Sequence, residues 1–450
     1  MSATLGGNTA LQIWAVPLVL GVLTMFGLLA ALLGSGIWIA VSLGLLGFIA
    51  MALTTSVPIG SVLATTVWSS SSSWTLAALP LFIWMGEILF RTRLSEEMFR
   101  GLSPWLQWLP GRLVHVNVIG CGIFAAVSGS SAATCATIGK IALPELDKRG
   151  YDKGISLGSL AGSGTLGLLI PPSIPMVVYA VTANVSVLQV FLGGFLPGIL
   201  VMALYSGYII AWSLLNPKKI PPRDPPLPFR KKVAESTKLI PCLLLILAVF
   251  FSLVLGFATA TECAAWGVSG ALLLAWWSGT LNRKTFFESV MSATRLTCMI
   301  MFILAGAAYT TAAMAYTGIP TALAEWVKGQ HLTPGMLALY LSVMYIILGC
   351  LIDGISMIVL TAVVVLPMVQ QAGLDLIWFG VYLVIHVEMA QVTPPVGFNL
   401  FVLQNMSGRD TLTVAKAAFP FFMLLVAAVF IITEFPQIVL VLPHPAFPPS

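Results

Sequence analysis

Ninety residues pass before the first basic side chain, Arg91, and the chain meanwhile runs through apolar stretches about as long as a bilayer is thick. A transmembrane helix needs about 20 mostly apolar residues. Runs of this kind fall at 11–33, 36–58, 75–90, 155–180, 189–215, 239–257, 263–279, 296–318, 377–405 and 417–441. Of the 450 residues 58% are hydrophobic and only 8% charged, where soluble domains carry about 25% charge. So few charges cannot clothe a soluble globule of this size. A soluble enzyme, a nucleic-acid binder and a secreted scaffold are therefore excluded, and the lipid bilayer is the first partner. The run at 11–33 lacks the cationic start of a secretory signal, so it is expected to stay as a spanning helix.

Two further apolar stretches, 113–139 and 334–370, fit poorly as single crossings, because Ser128-Gly129-Ser130-Ser131 interrupts one and Asp353-Gly354-Ile355-Ser356 the other. The first is flanked by Arg91, Arg93, Arg100 and Arg112 before it and Lys140, Lys148, Arg149 and Lys153 after it. A single crossing would strand one cluster outside, against the positive-inside rule. A hairpin that enters from the cytoplasmic side and returns keeps both inside, and irregular backbone at depth is tolerated where protein or a wet cavity surrounds it. The second stretch has only Lys328 before it and no cation after it until Arg409, so it is expected to enter from the outer face. The connector 216–238 gathers seven of the 21 cations among prolines and reads as a plain cytoplasmic linker, with both chain ends outside.

A shift of 223 residues superposes Leu143-Pro144 on Leu366-Pro367, Gly150 on Gly373, Asp152 on Asp375, Pro171-Pro172 on Pro394-Pro395 and Pro197 on Pro420. A shift of 220 brings Phe82-Ile83 and Gly86 onto Phe302-Ile303 and Gly306. Residues 1–215 and 239–450 thus read as two copies of one unit, each with five crossings and one re-entrant hairpin. An odd number of crossings inverts the second copy, an architecture common among secondary transporters. The expected fold class is an all-α polytopic membrane protein built as an inverted repeat.

Each copy supplies a hairpin tip and an interrupted helix. Gly162-Ser163-Gly164-Thr165 runs on to Ile170-Pro171-Pro172-Ser173 in the first, and Gln391-Val392-Thr393-Pro394-Pro395-Val396-Gly397 stands in the second. A Pro-Pro step removes two N–H donors and disfavours helix in the residue before it. Carbonyls freed in this way, with nearby hydroxyls, suit a hard cation such as sodium. Helix half-ends that meet there add partial charge, N-termini favouring an anionic substrate and C-termini the cation.

Intramembrane acids are functional candidates by default. Asp353, in the outer tip, leads; Glu388, five residues before Thr393, follows; Glu87, Glu262 and Glu434 fall near span ends and read as interfacial. His115 and His386 read as singly packed, and the six cysteines as small packed hydrophobes. Ser69–Ser73 reads as a flexible outer loop. No GxSxG, HExxH or nucleophile–base set occurs, so no enzymatic constellation exists and no cofactor is expected beyond sodium as coupling ion.

The stretches SGSSAATCATIGKIALPELDKRGYDKG (128–154), GTLGLLIPPSIPMVVYA (164–180) and TPPVGFNLFVL (393–403) resemble the large membrane subunit of tripartite ATP-independent periplasmic (TRAP) transporters, and the likeness runs over about residues 10–435. The resemblance implies an elevator-type fold, with a transport domain holding both hairpins inside a scaffold, in the inner membrane of a bacterium. It implies sodium-driven uptake of a small organic acid (a C4-dicarboxylate, sugar acid or similar carboxylate), a periplasmic solute-binding protein that delivers the acid, and a small four-helix membrane subunit. By the same likeness, the first sodium site draws on Ser128, Gly129, Ser130, Ser131, Gly164, Thr165 and Gly167. The second draws on Asp353, Gly354, Ser356, Thr393, Pro394, Pro395 and Gly397. Candidates for substrate contact are Ser131, Pro171, Pro172, Ser173 and Asn399. The sequence departs from the family at Ala390 or Gln391, where glycine is usual. The competing expectation is a self-sufficient ion-coupled carboxylate symporter of the same fold superfamily.

Overall fold

The computed structural model describes residues 24–443, save 26, 93, 223–227, 319–321, 323–324, 326–328 and 331–332; the start of the 11–33 span, both chain ends, Lys328 and the middle of the connector lie outside the described residues. Among the described residues the regular structure is entirely helical. Among the described residues four helices are long and apolar enough to cross a membrane alone: Val187–Leu215, Arg283–Thr317, Gly354–Gln371 and Thr411–Glu434. The ten expected crossings thus resolve into fewer full-length rods, because two runs are divided and others form shorter single helices such as Ile39–Thr54 and Ile240–Val254. The 155–180 run splits into Lys153–Thr165, a 3₁₀ turn Leu166–Leu168 and Ile174–Thr182, and the 377–405 run into Leu376–Gln391 and Phe398–Ser407. Both divisions fall at the Pro-Pro steps, and both Pro-Pro bonds are cis.

The stretch 113–139 is two helices, Val114–Ser128 and Ser131–Lys148, that pack against each other and meet at Gly129. Gly129 has φ 57°, a left-handed conformation open to glycine at little cost. The stretch 334–370 is Pro334–Gly349, a short break, and Gly354–Gln371; its second arm alone is long enough to cross.

The 223-residue repeat carries through to backbone detail. The helix ending at Lys148 closes with Gly150 at φ 79° and Tyr151 N–H donating to the Leu146 carbonyl at 3.0 Å. At the same offset Gly373 has φ 74°, and Leu374 N–H donates to the Val369 carbonyl at 3.1 Å. This is the Schellman closure, satisfying carbonyls that a helix end leaves orphaned. Pro144 and Pro367 both lie inside the helices so closed.

Asp152 then opens the next helix: its Oδ1 accepts from the N–H groups of Gly154 at 3.0 Å and Ile155 at 3.2 Å. Lys219 Nζ lies 3.5 Å from Oδ2, half exposed, and adds little. Asp152→Ala is therefore expected to cost about 1 kcal/mol, the usual worth of an N-cap. Thermal unfolding of the detergent-solubilised chain measures it, and an unshifted midpoint would deny Asp152 its capping role.

By contact, the chain forms two compact units. One gathers the described residues up to Ser73 with Cys298–Leu337 and Ile358–Leu376; the other holds Trp74–Thr297, Ala338–Met357 and the chain from Ile377 on. These units are cut differently from the two sequence copies. In the first, Thr310 Oγ1 donates to the Leu43 carbonyl at 2.7 Å, and Gly306 lets the Ala40 carbonyl approach to 2.5 Å from where a Cβ would stand. In the second, Lys153–Thr165 lies along Thr411–Glu434, with Tyr205 edge-on to Phe421 at 5.2 Å and Trp378 Nε1 donating to the Ile432 carbonyl at 2.8 Å.

Several local expectations are corrected. Ser69–Ser71 close the helix Ile59–Ser71 instead of forming a loop, with the hydroxyls of Ser69 and Ser70 donating back to the carbonyls of Thr66 and Val67. The connector is not a plain linker: Phe229–Ser236 is a helix packed on a second surface helix, Leu94–Leu106. Trp105 Nε1 donates to Ser236 Oγ at 2.7 Å, and Ser236 Oγ to the Gly101 carbonyl at 3.1 Å. Cys298 is exposed and Cys350 partly so, whereas the other four cysteines are buried.

Candidate functional site

The first tip is assembled from local chemistry. Ser130 is the N-cap of Ser131–Lys148, its side chain accepting from Ala133 N–H at 3.5 Å. Ser128 Oγ and Thr134 Oγ1 stand 2.6 Å apart, one donating to the other, and both lie within hydrogen-bond reach of the Ser130 carbonyl, at 3.3 Å and 2.8 Å. Three oxygens thus crowd one turn of backbone. The broken helix closes on them, since a Cβ on Gly167 would lie 2.7 Å from both the Ser130 carbonyl and Thr134 Oγ1, and one on Gly129 would lie 3.2 Å from the Pro172 carbonyl. Ser128, Gly129, Ser130 and Gly167 of the first sodium set thus lie together here, beside Pro172 from the substrate set. Thr134 is absent from the sequence-based set, although its place one helical turn after Ser130 is the kind of spacing that flags such a hydroxyl.

Thr165 turns elsewhere. Its Oγ1 donates to the Gly162 carbonyl at 2.8 Å, on the side that faces Tyr205 and Glu388. Glu388 is fully buried there beside Thr165, and among the described residues neither of its carboxyl oxygens has a partner within hydrogen-bond distance. Ser131 and Gly164 face a residue far away in sequence: Ser131 Oγ donates to Asn399 Oδ1 at 2.6 Å, and a Cβ on Gly164 would lie 3.0 Å from Asn399 Nδ2.

At the second tip Asp353 occupies the position that Ser130 holds 223 residues earlier, and it too caps a helix. Its Oδ2 accepts from the N–H groups of Ile355 and Ser356, each at 3.1 Å, and its Oδ1 from Ser356 Oγ. The carboxylate is satisfied by its own turn. A Cβ on Gly354 would lie 2.1 Å from Val387 Cγ1, and one on Gly349, at the end of the preceding arm, 2.8 Å from Ala390 Cβ, so this tip meets the helix six residues before Thr393. Ala390, one of the two positions where the sequence departs from the family pattern, stands against Gly349. At the break, Gly397 N–H donates to the Thr393 carbonyl at 2.9 Å, and a Cβ on Gly397 would lie 2.9 Å from the carbonyls of Gln391 and Thr393. Thr393 Oγ1 donates back to Met389 and Ala390, while Pro394 and Pro395 are exposed.

Among the substrate candidates, Pro171, Pro172 and Ser173 are buried, Ser173 Oγ donates to the Leu168 carbonyl, and Ser131 and Asn399 are engaged with each other. Of the remaining acids, Glu87 pairs with Arg91 one turn on, and Glu262 forms a capping box with Thr259, both near helix ends.

Residues 26–438 match the family described as the DctM component of the tripartite ATP-independent periplasmic transporter. The chain belongs to that family. It is 32% identical over 404 residues to a C4-dicarboxylate TRAP transporter large permease protein DctM from Pseudomonas aeruginosa, covering 90% of this chain and 94% of that one. It is 30% identical to the isethionate TRAP transporter permease protein DctMQ of Oleidesulfovibrio alaskensis, spanning 92% of this chain but 65% of that longer one. Among solved structures, the Alcanivorax borkumensis YdaH transporter superposes with a TM-score of 0.61 at 14% identity, over 89% of this chain and 98% of that one, a likeness of fold. A family of transporter permeases agrees with the lack of a catalytic set, and places this chain in the inner membrane.

Proposed function

We propose that this chain is the large subunit of a three-part importer that couples entry of a small organic acid to sodium. The observation that carries the reading is the closure of the broken helix on the first tip, where Gly167 and Gly129 bring hydroxyl and carbonyl oxygens of Ser128, Ser130, Thr134 and Pro172 into one buried place. Oxygens on broken backbone at the meeting of helix ends are the means by which secondary transporters hold a cation. For the second ion the reading draws on the same offset: the tip residues Asp353, Gly354 and Ser356 and, at the break, Thr393, Pro394, Pro395 and Gly397, where the Gln391 and Thr393 carbonyls converge on Gly397. The two copies are inverted relative to each other, both hairpins are re-entrant, and the domain that carries them moves as an elevator. The relatives' names point to a C4-dicarboxylate or a sulfonate as the acid. Delivery by a periplasmic solute-binding protein and support by a small membrane subunit follow from the family, and a relative that joins both membrane parts in one DctMQ permease accords with this.

The test is uptake of radiolabelled succinate and isethionate into proteoliposomes holding the chain with its small subunit, the binding protein outside, in sodium or in choline. Uptake is expected only with all three parts and sodium. Ser130→Ala and Thr393→Ala are expected to raise the half-maximal sodium concentration several-fold, roughly 1 kcal/mol for each ligand disturbed. Uptake by the chain alone would instead establish the self-sufficient symporter, and uptake indifferent to sodium would remove both ion sites.

A further inference from the structure

Asn399 lies two residues after Gly397, on the helix that leaves the second break, and it is wholly buried. Its amide reaches into the other copy's site. Oδ1 accepts from Ser131, the first residue of the helix after the first tip, at 2.6 Å, and Nδ2 donates to the Ala161 carbonyl of the first broken helix at 3.0 Å. Glycine at 164 admits the amide, because any Cβ there would stand 3.0 Å from Nδ2 and 2.8 Å from Cys135 Cβ. One side chain therefore joins three pieces that the chain separates by 268 and 238 residues. With both ends buried, neither bond can be released to water, so the three pieces shift together.

We propose that Asn399 is a positioning residue that couples the two ion sites, so that sodium held at one break raises affinity at the other. The inference rests on the sodium reading above and adds to it a path. At the second break Gly397 N–H is bonded to the Thr393 carbonyl, and an ion that takes up the Gln391 and Thr393 carbonyls resets the start of the helix Phe398–Ser407. Asn399, in its first turn, carries that resetting to Ser131 and Ala161. Coupling of this kind is reciprocal, so either site can be the first filled.

The experiment is equilibrium binding of ²²Na⁺ to the purified chain, with melting temperature in choline as the control for structure. In wild type the Hill coefficient is expected to lie well above 1, toward the 2 allowed by two sites. Asn399→Ala is expected to bring it to about 1 and raise half-saturation roughly fivefold or more, the lower end of ordinary coupling between sites. Ser131→Ala should lower the coefficient likewise, and the double variant no further than either single one. If Asn399→Ala does not fold, Asn399→Asp keeps the acceptor for Ser131, loses the donor to Ala161, and should still lower the coefficient. A lower melting temperature with an unchanged Hill coefficient in these variants overturns the proposal, leaving Asn399 a structural tie alone. Non-cooperative sodium binding by wild type overturns it while leaving the sodium reading intact, and no sodium binding by wild type overturns both.

Discussion

Gly158→Ala is expected to destabilise this protein by about 3 kcal/mol, the upper range for overpacking a tight contact. A Cβ at 158 would stand 2.1 Å from the Ala417 carbonyl oxygen, 2.9 Å from its carbon and 3.2 Å from Phe421 Cε2. The obstacle is backbone, which has no rotamer to move into. One turn on, a Cβ at Gly162 would meet Phe421 Cβ at 2.6 Å. Two glycines four residues apart let Lys153–Thr165 lie against Thr411–Glu434 at a distance that larger residues forbid, the small-residue packing of helices in membranes. Since that helix runs directly into the first break, the substitution also moves the candidate site. The expected outcome is a lower melting temperature and chain lost to aggregates on size-exclusion in detergent. A Gly158→Ala protein that melts with wild type would mean that the two helices do not touch along this stripe.

The second large effect is expected at Gly167. Alanine there would place its methyl 2.7 Å from the Ser130 carbonyl oxygen and Thr134 Oγ1 and 2.9 Å from the Ser130 carbonyl carbon. The tip must retreat, and oxygens that converge on an ion lose it when displaced by fractions of an ångström. Gly167→Ala is expected to raise half-saturating sodium at least tenfold, about 1.4 kcal/mol, while the global fold suffers less than from Gly158→Ala, because the tip can shift outward. Binding of ²²Na⁺ decides between these outcomes, and wild-type sodium affinity in this variant would take the first tip out of the ion site.

Much of the candidate site is legible in the sequence because its key devices are local. A Pro-Pro step breaks a helix wherever it falls, so 171–172 and 394–395 by themselves locate both divisions. Gly150 and Gly373 announce helix ends, and Ser130 and Asp353 stand where N-caps are wanted. The sequence singles out Asp353 as an acid, yet its role in the structure is that of a cap with its acceptors filled from its own turn. The surface helices Leu94–Leu106 and Phe229–Ser236 escape such a reading because short amphipathic segments resemble charged loops until their partners are known.

Composition and local backbone chemistry alone determined that this chain lives in a membrane, that it repeats at 223 residues, and where its helices break. Membrane residence and the helix breaks depend on transfer of apolar residues from water and on missing N–H groups, each settled within a few neighbours along the chain, whereas the repeat is read by laying the sequence on itself. Only the tertiary structure decided that Thr134 completes the first tip, that Thr165 turns toward Tyr205 and Glu388, and that Asn399 reaches Ser131 across 268 residues. The direction a side chain takes from a helix, and what waits there, is set by packing between segments far apart in sequence, where neither spacing nor propensity carries information.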